Sequence, residues 1–194
     1  MKRISRSRAR TRKARLRAFL RWFCYSVVLL FFYLWEVAPL IRGWCPLLII
    51  PLATAVAMFE GEFAAGIFGV VCGFMLDVAS GTLIGFSSMW LLVICPTISL
   101  LGQFWLKRSW LSHLVMNSIA VVFICLMDFL FLHWVWERES SGISFVHSLL
   151  PAYLWAILLS LPVYFLVRLI STRFRPKEER RLEEAVSDNA EEEE

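Results

Sequence analysis

The chain has 194 residues, of which 59% are apolar and 15% aromatic, and its mean hydropathy is +0.65. Soluble globular domains are about 45–50% apolar, so a water-soluble core cannot accommodate this excess. Uncharged stretches recur at about 20 residues, the length that crosses a bilayer as a helix. The composition therefore predicts an all-α, polytopic bundle of about six transmembrane helices.

The net charge of +4 is unevenly distributed along the chain. Residues 1–21 contain ten basic side chains and no acid, and we expect this segment to be a cytoplasmic basic arm. Its position before a hydrophobic helix favours binding to anionic lipid head groups, at about 1 kcal/mol per charge, over nucleic-acid binding or a transit peptide. Residues 22–171 form the predicted bundle, and residues 172–194 a charged, mostly acidic, disordered cytoplasmic tail.

The apolar stretches predict six helices, at residues 19–40, 43–59, 63–78, within 78–106, 113–135 and 149–170. The second and third are short for a full crossing, so each is expected to be kinked, tilted or partly re-entrant. One long helix over residues 43–76 is excluded, because it would place Glu60 and Glu62 near the middle of the bilayer. Pro162 predicts a kink, not a break, in the sixth helix.

The basic residues predict the orientation, because Lys and Arg of short loops stay on the cytoplasmic side. Six crossings from a cytoplasmic start place ten of the 20 in the arm, two at Lys107-Arg108 and six in the C-terminal segment, all on the inside. Arg42 and Arg138 alone fall outside. A re-entrant hairpin at residues 43–76 would leave every later loop on the same side, so the charges do not distinguish four crossings from six.

A series of glycines in and after the third helix is the most organised local pattern. From Gly69 the spacing is four, with Asp77 midway between two GxxxG elements, Gly69 to Gly73 and Gly81 to Gly85. Small residues four apart allow two helix backbones to approach closely in lipid. The pattern is compatible with tight packing inside the bundle and with a dedicated face for a partner.

Two acids lie in or near the predicted membrane helices, where a carboxylate is costly and often functional. Asp77 falls where the third helix should end and is followed by Ala-Ser-Gly-Thr. Its carboxylate is expected to cap the next helix or to pair at an interface, with proton or cation handling as the alternative. Asp128 lies near the end of the fifth helix, where a contact with an interfacial base such as His133 is expected.

Neither a metal site nor a catalytic constellation is expected. Three histidines, at positions 113, 133 and 147, are isolated in the sequence, and the five cysteines are widely spaced in apolar stretches. The serines have no base paired with them for nucleophilic catalysis, and no phosphate-binding loop, HExxH or GxSxG motif occurs. We therefore expect no enzymatic activity and no cofactor.

Residues 61–86, GEFAAGIFGVVCGFMLDVASGTLIGF, resemble the central signature of the rod-shape-determining protein MreD family. In that family a glycine-rich helix ends in Gly-x-x-x-Asp, and a short glycine-containing turn leads to a further glycine and the next helix. The residues that match this pattern are Gly69, Gly73, Asp77, Gly81 and Gly85. The small size and the lack of a soluble domain are also similar.

The resemblance implies a scaffold in the bacterial plasma membrane that serves lateral cell-wall synthesis. The implied partners are a bitopic MreC-like protein, the actin-like MreB, and the glycosyltransferase and transpeptidase that polymerise and cross-link peptidoglycan. It also implies a fold shared with the substrate-binding components of energy-coupling-factor vitamin transporters. An alternative function is therefore the capture of a small vitamin-like molecule, although residues 27–35 of the first helix are bulky where such components usually have small residues.

Overall fold

The structure is a computed structural model and describes residues 2–37, 47–81, 83–104, 109–136 and 150–174. All regular structure in this part of the chain is α-helical, in the order α1 Lys2–Val37, α2 Ile49–Phe59, α3 Glu62–Ser80, α4 Phe86–Phe104, α5 Trp110–Trp136 and α6 Leu150–Phe174. The prediction of an all-α bundle is confirmed. The acidic tail beyond Phe174 lies outside the described residues.

Five of these helices are long and apolar enough to cross a membrane: Leu16–Val37, Glu62–Ser80, Phe86–Gln103, Trp110–Phe131 and Tyr153–Phe174. Their outward surfaces are apolar, as α3 illustrates with Phe63, Ile67, Val71, Phe74 and Val78, which are all exposed at helical spacing. Large apolar side chains exposed along a whole helix need a covering other than water. The chain is therefore a multi-pass membrane protein.

The prediction that the second and third helices are both short is confirmed for the second and wrong for the third. Helix α3 has 19 residues, about 28 Å at 1.5 Å per residue, which nearly matches the hydrocarbon thickness of about 30 Å. Helix α2 has 11 residues, about 16 Å, and covers only half that distance. Glu60 and Gly61 separate the two helices, which confirms that one long helix does not form here.

Other helix boundaries also shift from the sequence-based ones. Helix α1 begins at Lys2, so the basic arm and the first crossing form one helix of 36 residues. Helix α4 begins at Phe86, after a turn, and includes Pro96. Helix α6 continues through Pro162 without interruption, in agreement with the prediction that this proline does not break it.

The chain divides into two compact units. The first combines residues 1–27 and 168–194. Within its described part, the rings of Trp22 and Tyr25 meet edge to face with centroids 5.9 Å apart, and Ser26 donates to the Trp22 carbonyl at 3.0 Å. The second unit, residues 28–167, contains α2 to α5 and most of α6.

Helix α2 is the core of the second unit. All 11 of its residues are buried, and it packs against α3, α4 and α5. Its first turn faces an acid, because the Glu36 carboxylate at the end of α1 lies near the backbone N–H groups of Leu48 and Ile49. A negative charge at a helix N-terminus is favourable. A helix that is apolar on every side and enclosed by others fits this central position.

Candidate functional site

The most extensive helix contact in the second unit joins α3 to α4, and the glycines of α3 form it. A Cβ atom added at Gly73 would lie 2.4 Å from the Cα atom of Ser88 and 2.5 Å from its backbone nitrogen. One added at Gly69 would lie 2.8 Å from the carbonyl oxygen of Leu91. One added at Gly66 would lie 3.1 Å from a ring carbon of Pro96. The backbones of the two helices are thus close because these side chains are missing.

The side chains on the two faces of α3 therefore differ in size and not in polarity. Glycines line the face against α4, and bulky side chains such as Phe63 and Phe74 line the opposite, exposed face. Of the two interpretations left open by the sequence, packing inside the bundle accounts for Gly69 and Gly73. The face that they form is already covered by α4.

Asp77 connects the end of α3 to the start of α4. Its side chain is completely buried. The backbone N–H of Gly85 donates to Oδ2 at 2.8 Å, and the backbone N–H of Ser87 donates to Oδ1 at 3.1 Å. These N–H groups lie at the start of α4, at Gly85 just before the helix and at Ser87 in its first turn, where the helix provides no partner for them. Asp77 thus caps α4, as the sequence predicted, and the helix dipole also favours its negative charge.

Gly81 and Gly85 lie in the connection between the two helices, so the second GxxxG element is not helical. Gly81 ends α3 in the left-handed conformation, with φ of 65°, and its N–H donates to the Asp77 carbonyl. Gly85 has φ of 98°. Both conformations are costly for residues that have a Cβ atom. These glycines therefore shape a turn that presents the Gly85 N–H to Asp77, and the interpretation of this pair as a packing element is wrong.

Asp128 belongs to a different contact, between α5 and α6. Its carboxylate accepts a hydrogen bond from the Tyr153 hydroxyl, a partner that the sequence did not indicate. The side chain of His133 lies outside the described residues. Asp128 and Asp77 lie at the same end of the bundle, where Phe86 of α4 and Phe131 of α5 also pack with ring centroids 4.7 Å apart.

A second group of residues, which the sequence did not reveal, lies inside the bundle where α2 ends. We call Thr54, His113, Asn117 and Tyr164 the interior polar cluster; each is completely buried. The Thr54 hydroxyl contacts Asn117 Oδ1 at 2.9 Å, and the rings of His113 and Tyr164 stack with centroids 4.9 Å apart. The cluster joins α2, α5 and α6.

One sequence signal could have indicated this cluster. His113 and Asn117 are four residues apart in an apolar helix, so their side chains lie on one face. Polar residues of membrane helices generally face the bundle interior. The partners on α2 and α6 could not be identified in the same way, because a single threonine or tyrosine in an apolar stretch is unremarkable.

The described side chains contain no group of three or more His, Cys, Asp or Glu residues placed to hold a metal ion. The α3–α4 contact has a structural role, because it fixes the distance between the two helices and the direction of the turn that joins them. The interior polar cluster can donate hydrogen bonds within the bundle.

Comparison with models of known families, with curated proteins and with solved structures finds no match. The resemblance to the MreD family thus rests on residues 61–86, and its five pattern residues are those of the α3–α4 contact and turn.

Proposed function

We propose that the chain is a non-enzymatic membrane scaffold of the bacterial cell-elongation machinery. In this role it resides in the plasma membrane with both ends in the cytoplasm. It binds an MreC-like bitopic protein and, with MreB, positions the glycosyltransferase and transpeptidase of lateral peptidoglycan synthesis. No nucleic acid, metal or cofactor takes part.

The observation that carries the proposal is the structural use of every signature residue. Gly69 and Gly73 bring α3 and α4 together, Asp77 caps α4, and Gly81 and Gly85 shape the turn between them. A signature for catalysis or ligand capture would leave some of its polar groups open to a substrate. Here the Asp77 carboxylate is completely buried and bonded to the backbone, which favours a role in holding a surface in shape.

The outer surface supports partners that are themselves membrane helices. The long helices expose apolar side chains along their length, for example Leu111, Val115, Ile119, Val122 and Leu126 on α5. Side chains of this kind contact lipid tails and can equally pack against the single helix of a bitopic protein. On the cytoplasmic side, the basic arm continues helically from the first crossing and binds anionic lipid head groups through its ten charges.

Affinity purification from the native membrane tests the scaffold. The full chain, tagged at its C-terminus, is extracted in mild detergent, and the recovered proteins are identified by mass spectrometry. We expect the MreC-like protein and at least one wall synthase to be recovered above the level in an untagged strain. Replacement of Gly73 by Leu, which separates α3 from α4, should reduce this recovery, and the matched Gly102→Leu variant should not.

The alternative function, capture of a small vitamin-type molecule, predicts a different result. Native mass spectrometry of the purified protein should show the mass of the chain with bound lipid alone if it is a scaffold. A small molecule bound at one per chain, together with a wild-type purification that recovers no wall-synthesis protein, would contradict the scaffold and favour the transport component.

A further inference from the structure

We propose that the interior polar cluster is a binding site for ordered water, which links the buried helix α2 to α5 and α6. The inference concerns Thr54, His113, Asn117 and Tyr164 and is independent of the function proposed above. It would hold for a scaffold and for a transport component.

Thr54 and Asn117 form one half of the cluster. The Thr54 hydroxyl lies 2.9 Å from Asn117 Oδ1 and 3.1 Å from the Pro51 carbonyl oxygen. It has one hydrogen and can donate to only one of them at a time. In either arrangement the Asn117 side-chain nitrogen has no hydrogen-bond partner among the described residues. The amide therefore requires a further acceptor.

His113 and Tyr164 form the other half of the cluster. Their rings stack with an interplanar angle of 22°, and Phe59 covers Tyr164 with ring centroids 5.6 Å apart. Stacking covers one face of each ring and leaves the ring edges for hydrogen bonds. The Tyr164 hydroxyl has no partner in the described part of the chain. The Ser160 carbonyl, which lies near the imidazole, can satisfy at most one of the two ring nitrogens.

The free polar groups of the cluster determine which ligand it can bind. The free groups are the Asn117 amide, the Tyr164 hydroxyl and an imidazole edge, and donors outnumber acceptors among them. This composition disfavours a cation and favours a molecule whose oxygen accepts. All three side chains are 0% exposed, so a larger ligand could not enter unless the helices separated. Water needs two to four polar partners in a small enclosed space, and this cluster supplies them.

The surroundings make hydration more important here than in a soluble protein. Inside a bilayer an unpaired donor finds no bulk solvent, and leaving it unpaired costs more than one hydrogen bond contributes. Helix α2 spans only half of the hydrocarbon and is buried on every side. Bound water would extend the hydrogen bond between α2 and α5, which joins Thr54 to Asn117, to the Tyr164 hydroxyl of α6.

A Tyr164→Phe variant tests the proposal by the sign of its effect. It keeps the ring and its stacking and removes only the hydroxyl. If the hydroxyl bonds to water, its loss leaves that water and its other partners incompletely bonded. The midpoint of thermal unfolding in detergent should then fall by roughly 2–6 °C. If the site is dry, removal of an unpaired hydroxyl should leave the midpoint unchanged or raise it, which would overturn the proposal. Tyr33→Phe, at a half-buried tyrosine of α1, is the matched control.

A measurement on the unaltered chain covers the case in which the variant fails to fold. In bilayers with the uniformly ¹³C- and ¹⁵N-labelled chain, magnetisation is transferred from water to the protein by solid-state NMR and observed at individual side chains. We expect it to reach the His113 imidazole several-fold faster than the buried apolar side chains Leu91 and Ile124. Transfer as slow as to those residues, or a small organic molecule found bound at the cluster, would overturn the assignment of water.

Discussion

Gly73 should tolerate no side chain, because the backbone of α4 occupies the space. A Cβ atom at this position would lie 2.4 Å from the Cα atom of Ser88 and 2.7 Å from the carbonyl carbon of Ser87. Two carbon atoms in van der Waals contact are about 3.5–4.0 Å apart. In a Gly73→Ala variant, α3 and α4 would therefore have to separate by roughly 1 Å along most of their contact.

The size of the effect follows from two opposing contributions. Overpacking of a close contact costs about 1–3 kcal/mol, and the upper end applies because a backbone atom cannot rotate away. Alanine is favoured over glycine inside a helix by about 1 kcal/mol, which offsets part of this cost. We expect a net loss of about 2 kcal/mol, and a midpoint of thermal unfolding lowered by roughly 4–8 °C.

The assay is thermal unfolding of the purified protein in mild detergent, and the chain offers a graded set of variants. The Cβ contact distances are 2.4 Å at Gly73, 2.8 Å at Gly69 and 3.1 Å at Gly66, so the loss of stability should decrease in that order. At Gly102, a helical glycine of α4, nothing lies within 4 Å of an added Cβ atom. Gly102→Ala should therefore gain about 1 kcal/mol from helix propensity alone.

Equal stability of Gly73→Ala and Gly102→Ala would refute this reasoning. It would mean that α3 and α4 are not in backbone contact at Gly73. A loss at Gly66 larger than at Gly73 would likewise show that the closest approach of the helices lies elsewhere.

Three further variants follow from the hydrogen bonds and the turn, each measured by the same unfolding assay. Asp77→Ala leaves the N–H groups of Gly85 and Ser87 without their acceptor and should cost about 1–3 kcal/mol; wild-type stability would show that the cap is dispensable. Gly85→Ala forces an alanine to φ of 98° and should cost about 1–2 kcal/mol, and a smaller loss would mean that the turn relaxes. Tyr153→Phe removes the hydroxyl that donates to Asp128 and should cost about 1–3 kcal/mol; a variant as stable as the wild type would refute the contribution of this bond.

The sequence predicted the helices and the Asp77 cap because both depend on local information. Uncharged length identifies a crossing, and an aspartate at the end of one helix, followed by a glycine turn, lies where the next helix begins. The prediction that Gly81 and Gly85 form a helix-packing pair is wrong. Their spacing of four residues suggests a helix, but both glycines adopt positive φ in a turn. Spacing alone does not distinguish these two uses of glycine.

Features that depend on distant residues could not be predicted. Helix α2 is buried among α3, α4 and α5, and its apolar sequence does not show which helices enclose it. The interior polar cluster joins Thr54, Asn117 and Tyr164, which are up to 110 residues apart in the chain. A single threonine or histidine in an apolar stretch gives no indication of its partner. For this reason His113 is isolated in the sequence although it has neighbours in the fold.

The shape of cells that lack this protein tests the proposed function most directly. The gene is depleted in the native host, and the width and length of living cells are measured by light microscopy as the protein disappears. We expect rods to widen and become round, with shape restored by the wild-type chain and by Gly102→Ala at equal membrane levels, and not by Gly73→Leu. Cells that remain rods of normal width after the protein can no longer be detected would contradict the proposal.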